Sequence, residues 1–170
     1  VFGEQVEIVT ILKGERPEEI VGLAQTMRDA ADAVGTALHR ELGRPLPACL
    51  QEVNRAADLL DIYAEEGLRL QSTMTAGGPG EKTIVTRDPV GVVVAITPFN
   101  YPVNLLCHKL GPAIAAGNAV VAKPSPKAPL AADHLVRLTI EAGFPRDLVQ
   151  IVHGGAEVAL GLARARIDLL

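Results

Sequence analysis

The stretch VGVVVAITPFNYPVNLLCHKLGPAIAAGNAVVAK, residues 90–123, decides the fold class. Its first part, 90–97, is an unbroken apolar run rich in β-branched side chains. It is too short for a helix and does not alternate, which predicts a strand buried on both faces. The segment 101–117 reads as a helix stopped by Gly117 and Asn118, and AVVAK at 119–123 reads as the next short strand. A strand, a helix and a second strand in so short a span form a βαβ unit, and such a crossover joins parallel strands.

The same rhythm continues downstream. APLAADHLVRLTIEAG at 128–143 is a helix ended by Gly143, LVQIVHG at 148–154 a strand, AEVALGLARA at 156–165 a short helix, and IDLL at 167–170 the start of another strand. The order from residue 90 is therefore β-α-β-α-β-α-β. Alternation of this kind predicts an α/β fold, a Rossmann-like parallel sheet flanked by helices and joined by right-handed crossovers. In such sheets ligands gather at the carboxyl ends of the strands. Asn100, Lys123 and Gly154 all fall just past the ends of three successive predicted strands.

Upstream the pattern differs. Residues 1–12 carry β-branched side chains and suit a strand or hairpin. Pro17, Glu18 and Glu19 then suit a helix start, because proline fits the first helical position and carboxylates favour the positive end of the helix dipole. Ile20, Ala24, Met27, Ala31, Val34, Leu38 and Leu42 keep one face of a single helix apolar as far as GRP at 43–45. A second helix is predicted over about 48–70, with Leu50, Val53, Ala57, Leu60 and Ala64 on its stripe. TAGGPGEK at 75–82 is a turn or flexible joint, and KTIVTRDP at 82–89 a strand. These features divide the chain into an N-terminal strand and helical segment, 1–80, and the βαβ region, 81–170.

Composition narrows the function classes. The 170 residues are 48% hydrophobic but only 3% aromatic, with no Trp, so the core is built from Ala, Val, Leu and Ile. A net charge of −4 argues against nucleic-acid binding. The balance is −6 over residues 1–90 and +2 over 91–170, which makes the second half the better host for an anionic ligand. Cys49 and Cys107 make no disulfide framework and no C-x-x-C pair, so a reducing, cytoplasmic setting is expected. No signal peptide and no run of the roughly 18 apolar residues that a membrane span needs is seen. His39, His134 and His153 lack metal-ligand spacing, and no metal site is expected.

Three places carry candidate chemistry. Asn100 sits in TPFNYP, where Pro98 and Pro102 restrict the backbone on both sides. An amide held this way suits a developing oxyanion. It equally suits a cap on the following helix, and on spacing alone the cap is favoured. Lys123 ends a buried strand, so its ammonium must emerge at the carboxyl edge, facing a ligand hydroxyl or phosphate or simply solvent. HGGAEVALG at 153–161 places small residues before a helix N-terminus, as a phosphate site or an ordinary turn would. It is not G-x-G-x-x-G. Cys107 and His108 are adjacent on a helix and do not face each other, so both cysteines read as packed side chains.

Taken together, DPVGVVVAITPFNYPVNLLCHKLGPAIAAGNAVVAKPSPKAPLAA at 88–132 resembles the cofactor-binding core of the aldehyde dehydrogenase superfamily. The resemblance rests on the PVGVV strand, the P-F/W-N-F/Y-P turn, the K-x-x-P-A-I/L-A-A-G-N segment and K-P before a P-L helix. EAGFPRDLVQIVHGG and the upstream ELGRPLPACLQEVNRAADLLDIYAEEG extend it over roughly residues 38–170. It implies NAD or NADP as cofactor, an aldehyde as substrate, a homo-oligomer (dimer or tetramer), and no nucleic-acid or membrane partner. It implies that Asn100 stabilises the oxyanion of a cysteine thiohemiacetal. Ile96, Thr97, Pro98 and Phe99 would line the nicotinamide-ribose side. Lys123 would bind the adenosine ribose, flanked by Ser125 and Pro126, and Gly154, Gly155 and Ala156 would lie near the adenine and diphosphate.

Two departures from the family pattern matter. Many NAD-preferring members carry Glu where Pro126 stands, and Lys127 adds a cation beside it, so NADP is expected to be tolerated or preferred. The family's catalytic cysteine, general-base glutamate and F-T-G-S turn normally follow the point where RARIDLL lies, so the fold is expected to be incomplete relative to the family. Neither Cys49 nor Cys107 matches the catalytic position. A non-catalytic remnant, acting as a cofactor-binding or assembly module, is the rival reading. A nucleotide-binding fold with unrelated chemistry is a third.

Overall fold

A computed structural model describes residues 17–70, 73–76 and 82–170. The strand or hairpin expected over 1–12 lies outside the described residues. The N-terminal part is helical. α1 (Pro17–Asp29) and α2 (Ala31–Leu42) lie where one continuous helix is expected, separated at Ala30. The break has a local cause. Thr26 Oγ1 donates to Gly22 O at 2.7 Å, a side-chain bond to the preceding turn of the kind that bends helices. The bend lets α1 lie along α3 (Leu46–Leu68) while α2 packs on both α3 and α5. Gly43, at φ 66°, ends α2 in the left-handed conformation that glycine adopts without strain.

β1 (Thr73–Ala76) and β2 (Lys82–Val85) pair antiparallel as a hairpin. The sequence predicts the second of these strands, but it places the turn too early to allow the first. The joint expected at 75–82 begins inside β1, and residues 77–81 lie outside the described residues.

The predicted βαβ series is present from residue 92. β3 (Val92–Ile96), β4 (Ala119–Lys123) and β5 (Val149–Ile151) form a parallel sheet in that order. Ile96 stands opposite Lys123, and Ala122 opposite Ile151. The helices α4 (Pro102–Ala115), α5 (Pro129–Glu141) and α6 (Ala156–Arg164) alternate with the strands. The final segment returns to the other side of β3, where Leu169 forms a parallel bridge to Val93 and its carbonyl accepts from Val94 N at 2.8 Å. β3 therefore has β4 on one side and the last segment on the other. The strand order reverses there, and in open sheets of this kind ligands bind outside the carboxyl ends of the strands at such a point.

One apolar core joins both parts of the chain. It includes Ile20, Leu23 and Met27 of α1, Val53 and Leu60 of α3, Leu106 and Leu110 of α4, and Leu135 of α5. The small side chains let elements approach closely. A Cβ on Gly111 of α4 would fall 2.4 Å from the Tyr63 ring of α3. At the amino ends of the strands Asn118 is buried. Its Oδ1 accepts from Gly91 N and its Nδ2 donates to Ala113 O, both at 3.0 Å, which ties β3 to the end of α4. Among the described residues no helix is long and apolar enough to cross a membrane.

Candidate functional site

The carboxyl end of β3 runs into Thr97, Pro98, Phe99 and Asn100 before α4 begins. Thr97 is buried, and its N–H donates to Lys123 O at 3.1 Å, which extends the β3–β4 ladder by one bond. Its Oγ1 is buried with no hydrogen-bond partner among the described residues. Pro98, Phe99 and Asn100 are exposed.

The start of α4 bears on the capping reading of Asn100. Tyr101 is the N-cap residue and makes no side-chain capping bond. The free N–H groups of Val103 and Asn104 donate instead to Glu52 Oε1 of α3, at 3.0 and 3.2 Å. Glu52 also forms an ion pair with Arg44, and its side chain is 0% exposed. The helix is thus capped by a carboxylate from a distant element, and Asn100 is not needed there. The Asn100 side-chain amide makes no hydrogen bond among the described residues. It lines a groove of about 410 Å³ with Glu41, Leu42, Arg44, Phe99 and Lys127.

Several contacts fix the frame of this groove. Arg44 Nη1 donates to Asn100 O at 3.2 Å, and its guanidinium lies 4.7 Å from the centre of the Tyr101 ring. Lys127 Nζ sits 4.2 Å from the centre of the Phe99 ring, a cation–π distance. Glu41, at the end of α2, accepts from Leu130 N at 2.6 Å and Ala131 N at 3.1 Å, and so caps α5. α5 has no capping side chain of its own.

One strand over, Lys123 departs from the simple expectation. It lies at the carboxyl edge but is only 4% exposed. Its Nζ donates to Pro124 O at 3.1 Å and Gly154 O at 2.9 Å, bridging the loops after β4 and β5. An ammonium has three N–H donors, so one is left beyond these two carbonyls. Ser125 Oγ accepts from Lys127 N at 3.3 Å, which shapes the turn before α5. Pro126 is exposed.

The loop after β5 is held from two sides, by Lys123 at Gly154 and by a 2.9 Å contact between His153 Nε2 and Asp133 Oδ1 of α5. Gly154 adopts φ 153°, and a Cβ there would lie 2.2 Å from Val158. Gly155 is the N-cap of α6, and its N–H donates to Glu157 Oε1 at 3.1 Å. Ala156 is the exposed first residue of that helix. The N-termini of α4 and α5 carry carboxylates from elsewhere in the fold, whereas α6 has only its own Glu157. An anion is favoured by the partial positive charge of a helix start, and of the three helices that follow sheet strands only α6 has an exposed local carboxylate there.

The structure thus brings the candidates together as two groups. Asn100 and Phe99 share a groove with Lys127, while Lys123, Gly154 and the Ile96–Thr97 strand end form the neighbouring edge. Sequence reading places Glu41, Arg44 and Glu52 in the family-like upstream segment 41–67 but gives none of them a role. Glu52 does leave a trace, because it occupies a position on the buried stripe of α3 between Cys49 and Ala56. A carboxylate on an apolar stripe requires a partner.

Both cysteines are buried and free. Burial pushes both thiols above their ordinary pKa, strongly so for Cys107, so both stay protonated at neutral pH. Neither is an accessible nucleophile. Among the described residues no group of three or more His, Cys, Asp or Glu could hold a metal ion.

The sequence profile of the aldehyde dehydrogenase family matches residues 8–169 of this chain. Over 150 residues it is 41% identical to the 3-sulfolactaldehyde dehydrogenase of Priestia megaterium, covering 85% of this chain and 31% of that protein. Over 131 residues it is 44% identical to aspartate-semialdehyde dehydrogenase 1 of Pseudomonas canavaninivorans, covering 74% of this chain and 28% of that one. The crystal structure of NADP-dependent glyceraldehyde-3-phosphate dehydrogenase from Bacillus halodurans, complexed with NADP, superposes with a TM-score of 0.81 at 34% identity, covering 86% of this chain and 33% of that one. This chain spans about a third of the length of the relatives it matches.

Proposed function

This chain belongs to the aldehyde dehydrogenase family, and on that premise we propose that it contributes the cofactor-binding region and the oxyanion-stabilising amide to NAD(P)-dependent oxidation of an aldehyde to a carboxylic acid. The observation that carries this reading is the state of Asn100. Glu52 takes the N–H groups that Asn100 would otherwise cap, which leaves a neutral donor on a restricted turn at the mouth of a groove. A donor fixed before reaction costs no reorganisation as negative charge develops.

The carboxyl edge suits a dinucleotide in its donor chemistry. Lys123 keeps one N–H for a ribose hydroxyl, and none of residues 123–127 is a carboxylate. Ile96, Thr97, Pro98 and Phe99 would face the nicotinamide-ribose side. Ser125 and Pro126 would flank the adenosine ribose, and Gly154, Gly155 and Ala156 would take the adenine and diphosphate. When bound, the cofactor supplies the hydride acceptor. Residues 81–170 form the dinucleotide-binding region in this reading, within a cytoplasmic homo-oligomer.

Pro126 can neither accept ribose hydroxyls nor repel a 2′-phosphate, and Lys127, whose Nζ rests 4.2 Å from the centre of the Phe99 ring, would supply a cation on turning back toward it, so NADP is bound at least as tightly as NAD. Fluorescence titration of the purified chain with NADPH and NADH tests this, and tighter binding of NADH refutes the preference. In a protein that also carries the family's catalytic cysteine region, aldehyde-dependent NAD(P)H formation, lost in Asn100→Ala while NADPH binding persists, tests the oxyanion role. A second reading is favoured by the buried thiols: the chain is a cofactor-binding or assembly module without turnover of its own. Cofactor binding with no aldehyde-dependent turnover supports it, and robust turnover excludes it.

A further inference from the structure

We infer that Glu52 and Arg44 are positioning residues for Asn100, acting as one unit that sets the loop between β3 and α4. The inference rests on the reading of Asn100 as the oxyanion donor, and it adds residues from outside the βαβ region to that reaction.

The geometry is a short relay from a rigid helix to the reacting loop. Glu52 is anchored on the buried stripe of α3, among Cys49, Val53 and Ala56. One of its oxygens holds Val103 N and Asn104 N, and the other holds Arg44. Arg44 passes the constraint on, through a hydrogen bond to Asn100 O and a cation–π contact with Tyr101. Four of the five residues 100–104 are therefore held by a single ion pair. The fifth, Pro102, has a fixed φ.

This arrangement exceeds what a helix cap requires. An Asn, Asp or Ser at position 101 would cap α4 without help from another element. Tyr101 stands there instead, and the capping carboxylate comes from 51 residues upstream of Val103. The guanidinium is suited to the relay because it is a planar fork with several donors. Nη1 alone serves both Glu52 and Asn100 O. Lysine, a point charge, keeps the pairing with Glu52 but loses the fork.

The test uses NMR of the purified, isotope-labelled chain. Signals of the Asn100 backbone and side-chain NH2 report on the loop, and hydrogen exchange at Val103 and Asn104 reports on the cap. In Arg44→Lys, Asn100 signals are expected to broaden or shift with exchange at Val103 changed by less than about threefold, because Glu52 keeps a cation and still accepts its bonds. In Arg44→Met, which leaves the buried carboxylate unpaired, the whole chain loosens and the change at Asn100 is expected to exceed that across α1 and α5. In Glu52→Gln, protection at Val103 and Asn104 is expected to fall about tenfold or more, as loss of a charged acceptor implies, with Asn100 loosened too. If Glu52→Gln does not fold, the Arg44 variants decide. Unchanged Asn100 signals in Arg44→Met overturn the inference, as does uniform loosening across α1 and α5 with no excess at Asn100. None of these readouts involves turnover. Failure of the oxyanion reading shows separately, as undiminished aldehyde oxidation in Asn100→Ala of a protein that also carries the family's catalytic cysteine region.

Discussion

Replacing Glu52 with alanine is expected to be the most damaging single polar change in this chain. The carboxylate is fully enclosed and holds three groups: Val103 N, Asn104 N and the Arg44 guanidinium. Its removal leaves the half-buried Arg44 charge unpaired and two helix-start N–H groups without an acceptor. Breaking a buried ion pair from one side costs about 3–5 kcal/mol, and the lost cap is part of that figure. Against a total stability of about 5–15 kcal/mol, such a loss is a large share. With a urea m-value of about 2 kcal/mol/M, the unfolding midpoint falls by roughly 1.5–2.5 M. Equilibrium urea denaturation followed by far-UV circular dichroism measures this. The double variant Glu52→Ala/Arg44→Ala is expected to recover part of the loss, since it no longer leaves a lone charge, with a coupling of about 0.5–3 kcal/mol. A midpoint shift below about 0.5 M in Glu52→Ala would refute the reasoning. It would mean that water or the chain itself replaces the carboxylate at little cost.

Further predictions follow from neighbouring features. Glu41→Ala removes the acceptor at the start of α5, and chemical denaturation is expected to show a loss of about 1–2 kcal/mol, less than for Glu52 because Glu41 is only half-buried. Gly43→Ala is expected to cost about 1–2 kcal/mol and Gly43→Asn less, since a Cβ there meets nothing within 4 Å and only the left-handed backbone is penalised. The Cys107 thiol is pushed up by burial. The folded state therefore keeps a proton that the unfolded chain releases as pH rises past the ordinary thiol value. Stability is full below that pH and declines above it, and between about pH 9 and 11 Cys107→Ala is expected to flatten the decline by about 1.4 kcal/mol per pH unit. Equal slopes in the two proteins would show that the thiol ionises in place.

Much of this architecture is legible because its signals are local. The β-branched run at 92–96, the Gly117–Asn118 stop and the Pro129 helix start each act within a few residues, and each element forms where expected. The break at Ala30 is hidden because the apolar spacing passes through it unchanged, while the bend accompanies a bond from the Thr26 hydroxyl to Gly22 O. β1 is hidden because a four-residue strand beside a glycine-rich turn has too little pattern of its own. At the site, the sequence points to Asn100 and Lys123 but leaves each with two meanings.

The amino-acid sequence by itself determined the α/β alternation, the placing of Asn100, Lys123 and Gly154 past strand ends, and the family resemblance. Periodicity, turn chemistry and motif spacing are properties of the chain read in order. Only the tertiary structure decided that α4 and α5 are capped by Glu52 and Glu41, from 51 and 89 residues away. That Lys123 spends two donors on backbone carbonyls, and that the Asn100 amide has no hydrogen-bond partner among the described residues, were likewise decided only there. A carboxylate satisfies whichever N–H the fold brings to it, and nothing in the local pattern names that partner. That Asn100 is not needed as a helix cap follows from the distant carboxylate that already fills that role.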